Sequence, residues 1–338
     1  MAIDNNDRGT AGRRDLKTFA LRAVRNEHAV LIAVLVVLVA VLAALTKGAS
    51  TRWTNVENVL VQSATRGLAS IGQAFVVLTG GIDVSVGGVG LFASALGASL
   101  ITSSADQNLL GTVFPLGVGI LVMLMAGTAA GAINGLAVSR IGLPPLIATL
   151  AMWQIGEGLG FVITQGFPVE NLPKQIAFWG SGTISGLATP VVLFIVTASI
   201  AYFFLNHTSY GRSVYAVGGN SVSAWLSGVD VKRIRASVYV ISGFLAGLAG
   251  VVFTGRVESA TMKSLLGLEL DSIAAVFIGG VSIFGGRGSV IGVVIGVMIL
   301  GVINNAMSIL NAETSVQLIV KGSIIFTAVA LDNWRNRR

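Results

Sequence analysis

The sequence predicts an all-α membrane protein that enters or crosses a bilayer about ten times. Three observations predict it. AVILMFWYC residues fill 54% of 338 positions and 43 glycines add to them, whereas Asp, Glu, Lys and Arg reach only 11%. An ordinary soluble domain carries about 25% charged residues, and a water-facing surface cannot be built from less than half of that. Finally, the few charges divide the chain into apolar runs of roughly the 20 residues that cross a hydrocarbon core. Lipid offers backbone groups no hydrogen-bond partners, so such runs must be helices or a closed barrel. Their Leu, Val, Ala and Gly content points to helices.

Each segment follows in order. Residues 1–27 form a basic, cytoplasmic N-terminal segment, and 28–332 form the transmembrane domain. Ala29–Leu45 is an unbroken apolar run, longer than the ~7–15 residues of a signal-peptide core and lacking a clean cleavage site, so it reads as an uncleaved first span. Val59–Thr79 is the second. No charge falls between Asp83 and Asp106, nor between Asp106 and Arg140, which gives two more. Leu146–Gln165 follows the Pro144-Pro145 pair, and residues 166–188, with Pro168, Pro173 and Trp179, read as an external loop lying partly in the interface. The charge-free stretches Lys174–Arg212, Arg235–Arg256 and Arg287–Glu313 each hold a span. Ser272–Phe284 and Ser315–Leu331 are shorter candidates, and 333–338 form a cytoplasmic tail.

Lys and Arg orient the chain. Alternating spans place 15 of them on the side of the N-terminus and five (Lys47, Arg52, Lys174, Arg256, Lys263) on the other, with Arg66 and Lys321 inside candidate spans. Basic residues accumulate on the cytoplasmic side, so both termini are expected in the cytoplasm of a multi-pass inner-membrane protein. The same distribution gives the net charge of +7 its explanation, and nucleic acid is excluded as a partner because no soluble basic face exists. Without cysteine and with only His28 and His207, no thiolate or His-rich metal site can form. No phosphate loop, HExxH or nucleophile–base pair is present, so nothing in the chain is catalytic.

Three regions carry candidate function. In Leu78-Thr-Gly-Gly-Ile-Asp-Val-Ser-Val-Gly-Gly88, four glycines (Gly80, Gly81, Gly87, Gly88) break a span beside Asp83 and Ser85. An intramembrane carboxylate is functional by default, although Asp83 can equally cap the following helix. A related string, Gly279-Gly-Val-Ser-Ile-Phe-Gly-Gly-Arg-Gly-Ser289, places Gly279, Gly280, Gly285 and Gly286 in a comparable break without an acidic residue. Paired Gly-interrupted segments are the mark of an internal repeat, and close helix packing on glycine is the plainer account. The third region is the longest cytoplasmic loop, 207–235, with Gly218, Gly219, Asn220, Ser221, Ala224, Trp225, Leu226 and Gly228. Asn220 suits an N-cap and Gly228 the residue after a C-cap. Two helical turns between them are unstable alone, so they dock on a protein or lie in the lipid interface. Glu157, Thr149, Asn304 and Asn305 add polar groups within spans. For the asparagines interhelical hydrogen bonding is the plain reading; Lys321 snorkels or pairs.

At Gly80–Gly87, Asn134-Gly135, Gly142–Leu150, Gly218–Asn220, Leu226–Val229, Leu270–Gly288 and Lys321-Gly322, the chain resembles the permease subunits of bacterial ABC importers for ribose, xylose, galactose and related sugars. The resemblance runs from about Thr79 to the C-terminus. It implies a fold similar to the vitamin B12 permease, a second permease copy (identical or not), a cytoplasmic ATPase holding ATP and Mg, and an external sugar-binding protein. It further implies a substrate pathway, to which Asp83, Ser85, Thr149, Asn304 and Asn305 are assigned, and an ATPase-coupling role for residues 218–228. The family's cytoplasmic helix often reads Asn-Pro-Glu-Ala-Ala-Arg-Leu-Ser-Gly, where this chain has Asn220-Ser-Val-Ser-Ala-Trp-Leu-Ser-Gly228. A pentose-like sugar is favoured as solute. The competing expectation is a proton-coupled carrier titrating Asp83 or Glu157.

Overall fold

The computed structural model describes residues 27–336; the basic segment before Glu27, expected to be cytoplasmic, and Arg337-Arg338 lie outside the described residues. The described chain is a helical bundle. Helix α1 (Glu27–Leu45) is apolar on all sides and packs Leu35, Leu38 and Leu42 against Val59, Val302 and Ala306. Helix α2 (Trp53–Leu78) is about 39 Å long at 1.5 Å per residue and forms the centre: every residue from Ser63 to Leu78 except Arg66 is buried. Helix α3 (Val86–Ile101) is also almost wholly buried, which is why so short a segment persists beside longer neighbours. Next come α4 (Leu116–Leu136), prolonged by a wide turn over Ala137–Ile141, and α5 (Pro145–Thr164), with Pro at its first position where no N–H is needed.

Residues 166–188, expected to be an external loop, hold α6 (Ala177–Ser181) and a two-stranded antiparallel hairpin, β1 (Thr183–Ile184) with β2 (Leu187–Ala188). The turn between them needs positive φ at Ser185 (51°) and Gly186 (83°), the signature of a type I′ hairpin. The mostly helical expectation holds, and this small hairpin is an addition to it: backbone outside the long helices has paired across a turn. Helix α7 (Thr189–His207) then leads to α8 (Ser209–Gly219) and α9 (Ser221–Leu226). Helices α10 (Val231–Val257), α11 (Leu268–Ile278), α12 (Val290–Ile309) and α13 (Thr314–Asn336) complete the chain.

Seven helices among the described residues are long and apolar enough to cross a membrane: α1, α4, α5, α7, α10, α12 and α13. Helix α11, 11 residues long, spans about 16 Å, half a hydrocarbon core. The core is assembled by glycine. On α4, Gly127, Gly131 and Gly135 recur every fourth residue and face Gly243, Tyr239 and Ala236 of α10 so closely that a Cβ on any of them would meet backbone. Small residues at this spacing let two helices approach until dispersion and weak polar contacts hold them in lipid. Gly88 and Gly156 do the same for α3 on α5.

Candidate functional site

The turn between α2 and α3 is built around Asp83, which is 1% exposed. Its Oδ1 accepts from the Ser85 backbone N–H (2.9 Å) and hydroxyl (2.6 Å), and its Oδ2 accepts from the Ser242 hydroxyl on α10 (2.7 Å). Asn134 on α4 donates to the Ser85 hydroxyl (2.9 Å). With its amide turned to satisfy both groups, Gln73 donates to the Asp83 carbonyl (2.8 Å) and accepts from its N–H (3.2 Å). Thr149 donates to Pro145 O (2.9 Å) and lies 3.3 Å from Ile82 O. The buried carboxylate therefore meets neutral donors from Ser85 and from Ser242 on α10, and no ion-pair partner among the described residues, an arrangement that stabilises charge through hydrogen bonds. It holds the turn before α3 through the N–H two residues on and fastens that turn to α10, but it is not the helix cap expected from the sequence: the N-cap position is Ser85, and no side chain caps the helix.

The chain leaves α2 and α11 by the same geometry. Gly81 N–H bonds to Val76 O (3.1 Å) and Val281 N–H to Val276 O (3.2 Å); Gly80 and Gly280 sit at φ 79° and 81°. Both ends are left-handed glycine caps with the long six-to-one bond. The equivalence pairs Gly80 with Gly280, one residue off the Gly-Gly alignment read from the sequence. Gly87 and Gly88, expected to break a helix, lie inside the first turn of α3; there the missing side chains admit Glu269 and Trp153. Gly279 has ordinary helical φ (−67°) and packs on Gly292, while Gly285 (83°) and Gly286 (72°) lie in the turn to α12.

That turn meets the loop over residues 207–235 through backbone. The Gly286 N–H donates to Leu78 O (2.9 Å), and a Cβ on Gly218 would overlap the same carbonyl. A Cβ on Gly285 would come within 2.7 Å of Gly80 N, and one on Gly286 within 2.7 Å of Gly219 Cα. Tyr215 of α8 donates to Gly288 O (3.0 Å), and Ser282 and Ile283 bond to Asp332 of α13 (3.1 and 3.0 Å). Burial pushes the Tyr215 phenol above its ordinary value, and that of Tyr210 too, against the opposing bond with Ser237. Tyr215 therefore stays a donor at neutral pH. Three chain segments so close have no compressible side chain between them; they form a glycine hub.

Helix α9 projects from this hub. Asn220 caps it, its Oδ1 accepting from Val222 N (3.0 Å) and Ser223 N (2.9 Å), and Gly228 leaves it at φ 86°. Both ends match the sequence reading. Ala224 packs inward while Val222, Trp225 and Leu226 are 64–72% exposed on a six-residue helix. The preceding residues differ from expectation: Gly218 and Gly219 end a full helix, α8, whose Val214 and Val217 are buried. Thr208 caps α8 by accepting from Gly211 N (3.3 Å).

The five assigned pathway residues separate into two places. Asp83, Ser85 and Thr149 surround one turn. Asn305 lies towards the other end of α12, exchanging amide bonds with Asn55 of α2 (3.0 and 2.9 Å), as interhelical bonding requires; neighbouring Asn304 is buried with neither side-chain polar atom partnered among the described residues. Glu157 forms no ion pair among the described residues. Lys321, expected to snorkel or pair, pairs, in a charged cluster whose centre the sequence reading does not include. Asp271 of α11 takes Arg66 Nε at 2.9 Å on one oxygen and Lys321 Nζ at 2.8 Å on the other. The signal available was three isolated charges in apolar segments; Asp271 had been left just outside its span.

Residues 55–329 match the family model described as branched-chain amino acid transport system / permease component. The chain is 38% identical over 280 residues to the ribose import permease protein of Bacillus subtilis (strain 168), covering 82% of this chain and 84% of that one. It is 38% identical over 299 residues to the D-allose transport system permease protein of Escherichia coli (strain K12), covering 88% and 89%. The L-arabinose ABC transporter permease protein of Azospirillum brasilense is 34% identical over 284 residues, with coverage of 84% and 81%. No solved structure matches the chain significantly.

Proposed function

The chain belongs to the permease-component family matched over residues 55–329, and on that premise we propose that it passes a monosaccharide, with pentoses favoured, from an extracytoplasmic binding protein into a bacterial cytoplasm. Ribose, D-allose and L-arabinose in the relatives' names support that solute class. As a permease it forms the passage and performs no chemistry; ATP and Mg belong to a separate ATPase. The observation that carries the coupling is α9. A six-residue helix cannot hold three large apolar side chains in water unaided, so Val222, Trp225 and Leu226 form the ATPase contact, and the glycine hub delivers its movement to the ends of α2 and α11.

The reading extends to architecture. Counting α2, α3 and α11 with the seven more apolar helices named above gives ten membrane segments within 28–332, both termini in the cytoplasm, and loop 207–235 facing the ATPase. The matching glycine caps of α2 and α11 support an internal repeat of the vitamin B12 permease type, working beside a second permease copy. Asp83, Ser85 and Thr149 are best assigned to stiffening the broken segment along the pathway, and Asn304 to the pathway wall.

Reconstitution with a cognate ATPase and binding protein tests the reading. Uptake should require ATP and persist with a proton uncoupler. Uptake abolished by the uncoupler and indifferent to ATP depletion would replace the import reading with the carrier one. Leu226→Asp should leave the permease in the membrane and weaken its hold on the ATPase about 30-fold, the equivalent of ~2 kcal/mol at an apolar anchor. The check is ATPase co-purification beside uptake.

A further inference from the structure

Arg66 lies 12 residues before the hub end of α2, about 18 Å along the helix. There Arg66, Lys321 and Asp271 border a cavity of about 170 Å³ whose wall also holds Gln62, Arg256 and Lys263. Four cations thus face one carboxylate, and the two bonds to Asp271 use both of its oxygens without cancelling the surplus. Charges within a membrane segment face water or a passing solute unless fully paired. Thr65, also in the wall and 6% exposed, has a hydroxyl with no partner among the described residues. Arg, Lys and the Gln amide together present many more N–H donors than this one carboxylate can accept. In low dielectric, donors without acceptors are costly, so the cavity is completed by something rich in oxygen lone pairs.

We propose that this cavity is a solute site: a neutral polyhydroxylated molecule occupies it, its hydroxyl oxygens accepting from Gln62, Arg66 and Lys321 while Asp271 accepts one hydroxyl proton. Phe253 in the wall adds the apolar ring surface against which a sugar's C–H face packs. A monosaccharide is smaller than the ligands that fill cavities of about 300–1,000 Å³, and suits the smaller volume. The site deepens the import reading and rests on it: the solute is held by the permease itself after the binding protein releases it.

The chain has no cysteine, so Gln62→Cys places a single thiol in the permease. In the complete importer, an aqueous thiol reagent should modify it, and a transported sugar, delivered with the binding protein at about ten times its Kd for the site, should slow the reaction about tenfold. Leu266→Cys, in the same wall and 67% exposed, guards against a Gln62 variant that fails to assemble, and should respond alike. Lys47→Cys, remote in sequence, should be indifferent to sugar. Unchanged labelling at both wall positions while the variants still import sugar would overturn the site and leave the import reading standing. Protection by sulfate with no effect of any sugar would overturn it too. If the native importer moves no sugar, the import reading fails instead.

Discussion

Helix α2 meets its neighbours in two opposite ways. At Leu78 they touch through bare backbone, with Gly218 and Gly286 on one carbonyl; at Arg66 they meet through a carboxylate shared by two flexible cations. The difference is mechanical. Backbone held in van der Waals contact has no slack and passes on any displacement, because close-packed interiors shift between discrete arrangements instead of deforming smoothly. Long cationic side chains can exchange one oxygen for another over several ångströms at little cost, provided acceptors are at hand. One end suits the transmission of movement, the other the handling of a solute.

The comparison breaks first at Gly218. Gly218→Val inserts carbon where Leu78 O already sits, an overpacking that exceeds the usual ~1–3 kcal/mol because the obstacle is backbone. Assembled permease after detergent extraction should be lost; normal yield and uptake would show the hub to be loose. Next is Asp271→Asn. Removing the partner of a fully buried pair costs about 3–5 kcal/mol, but Arg66 and Lys321 are about a quarter exposed, so solvent screening brings the loss nearer ~1–2 kcal/mol. Adding Lys321→Met should recover part of the melting temperature, since one stranded cation is removed. Recovery of nothing would mean that a stranded Lys321 charge is not what destabilises the Asp271→Asn variant.

Asp83 supplies a milder test, since its bonds are to neutral donors. Asp83→Asn keeps size and some acceptor capacity and should assemble with most of its uptake, whereas Asp83→Leu strands Ser85 N–H and Ser242 and should assemble poorly. Normal assembly of both with transport by neither would make the charge itself functional. Tyr215→Phe is the smallest change, one hydrogen bond of about 1 kcal/mol to Gly288 O. Protein yield should stay native while ATP hydrolysed per sugar imported rises. That ratio is independent of how much protein folds, so an unchanged value removes Tyr215 from the transmission.

What was legible in the sequence depended on range. Asn220 and Gly228 were readable because a cap is decided within four residues, and α1 and α12 because an unbroken apolar run has few alternatives in lipid. Helix α8 was not, since its polar, Gly-ended sequence reads as loop until Val214 and Val217 find a core to enter. The start of α11 was obscured for a related reason: Glu269 and Asp271 look like a boundary when their surroundings are unknown. The hub could not be foreseen at all. Gly218 touching Leu78, or Asn55 bonding Asn305 250 residues away, leaves no local pattern.

The bond from Ser242 to Asp83 has a further consequence, in time. Its two ends lie 159 residues apart, and synthesis at about 5–20 residues per second separates their emergence by roughly 10–30 s. Through that interval the carboxylate is already in or near the bilayer with only its local donors, the Ser85 N–H and hydroxyl, to hold it. The first half of the chain is thus committed to the membrane in an unfinished state. The arrival of α10, carrying Ser242 and the face for the α4 glycines, completes the carboxylate's shell and closes the helix pair in one event.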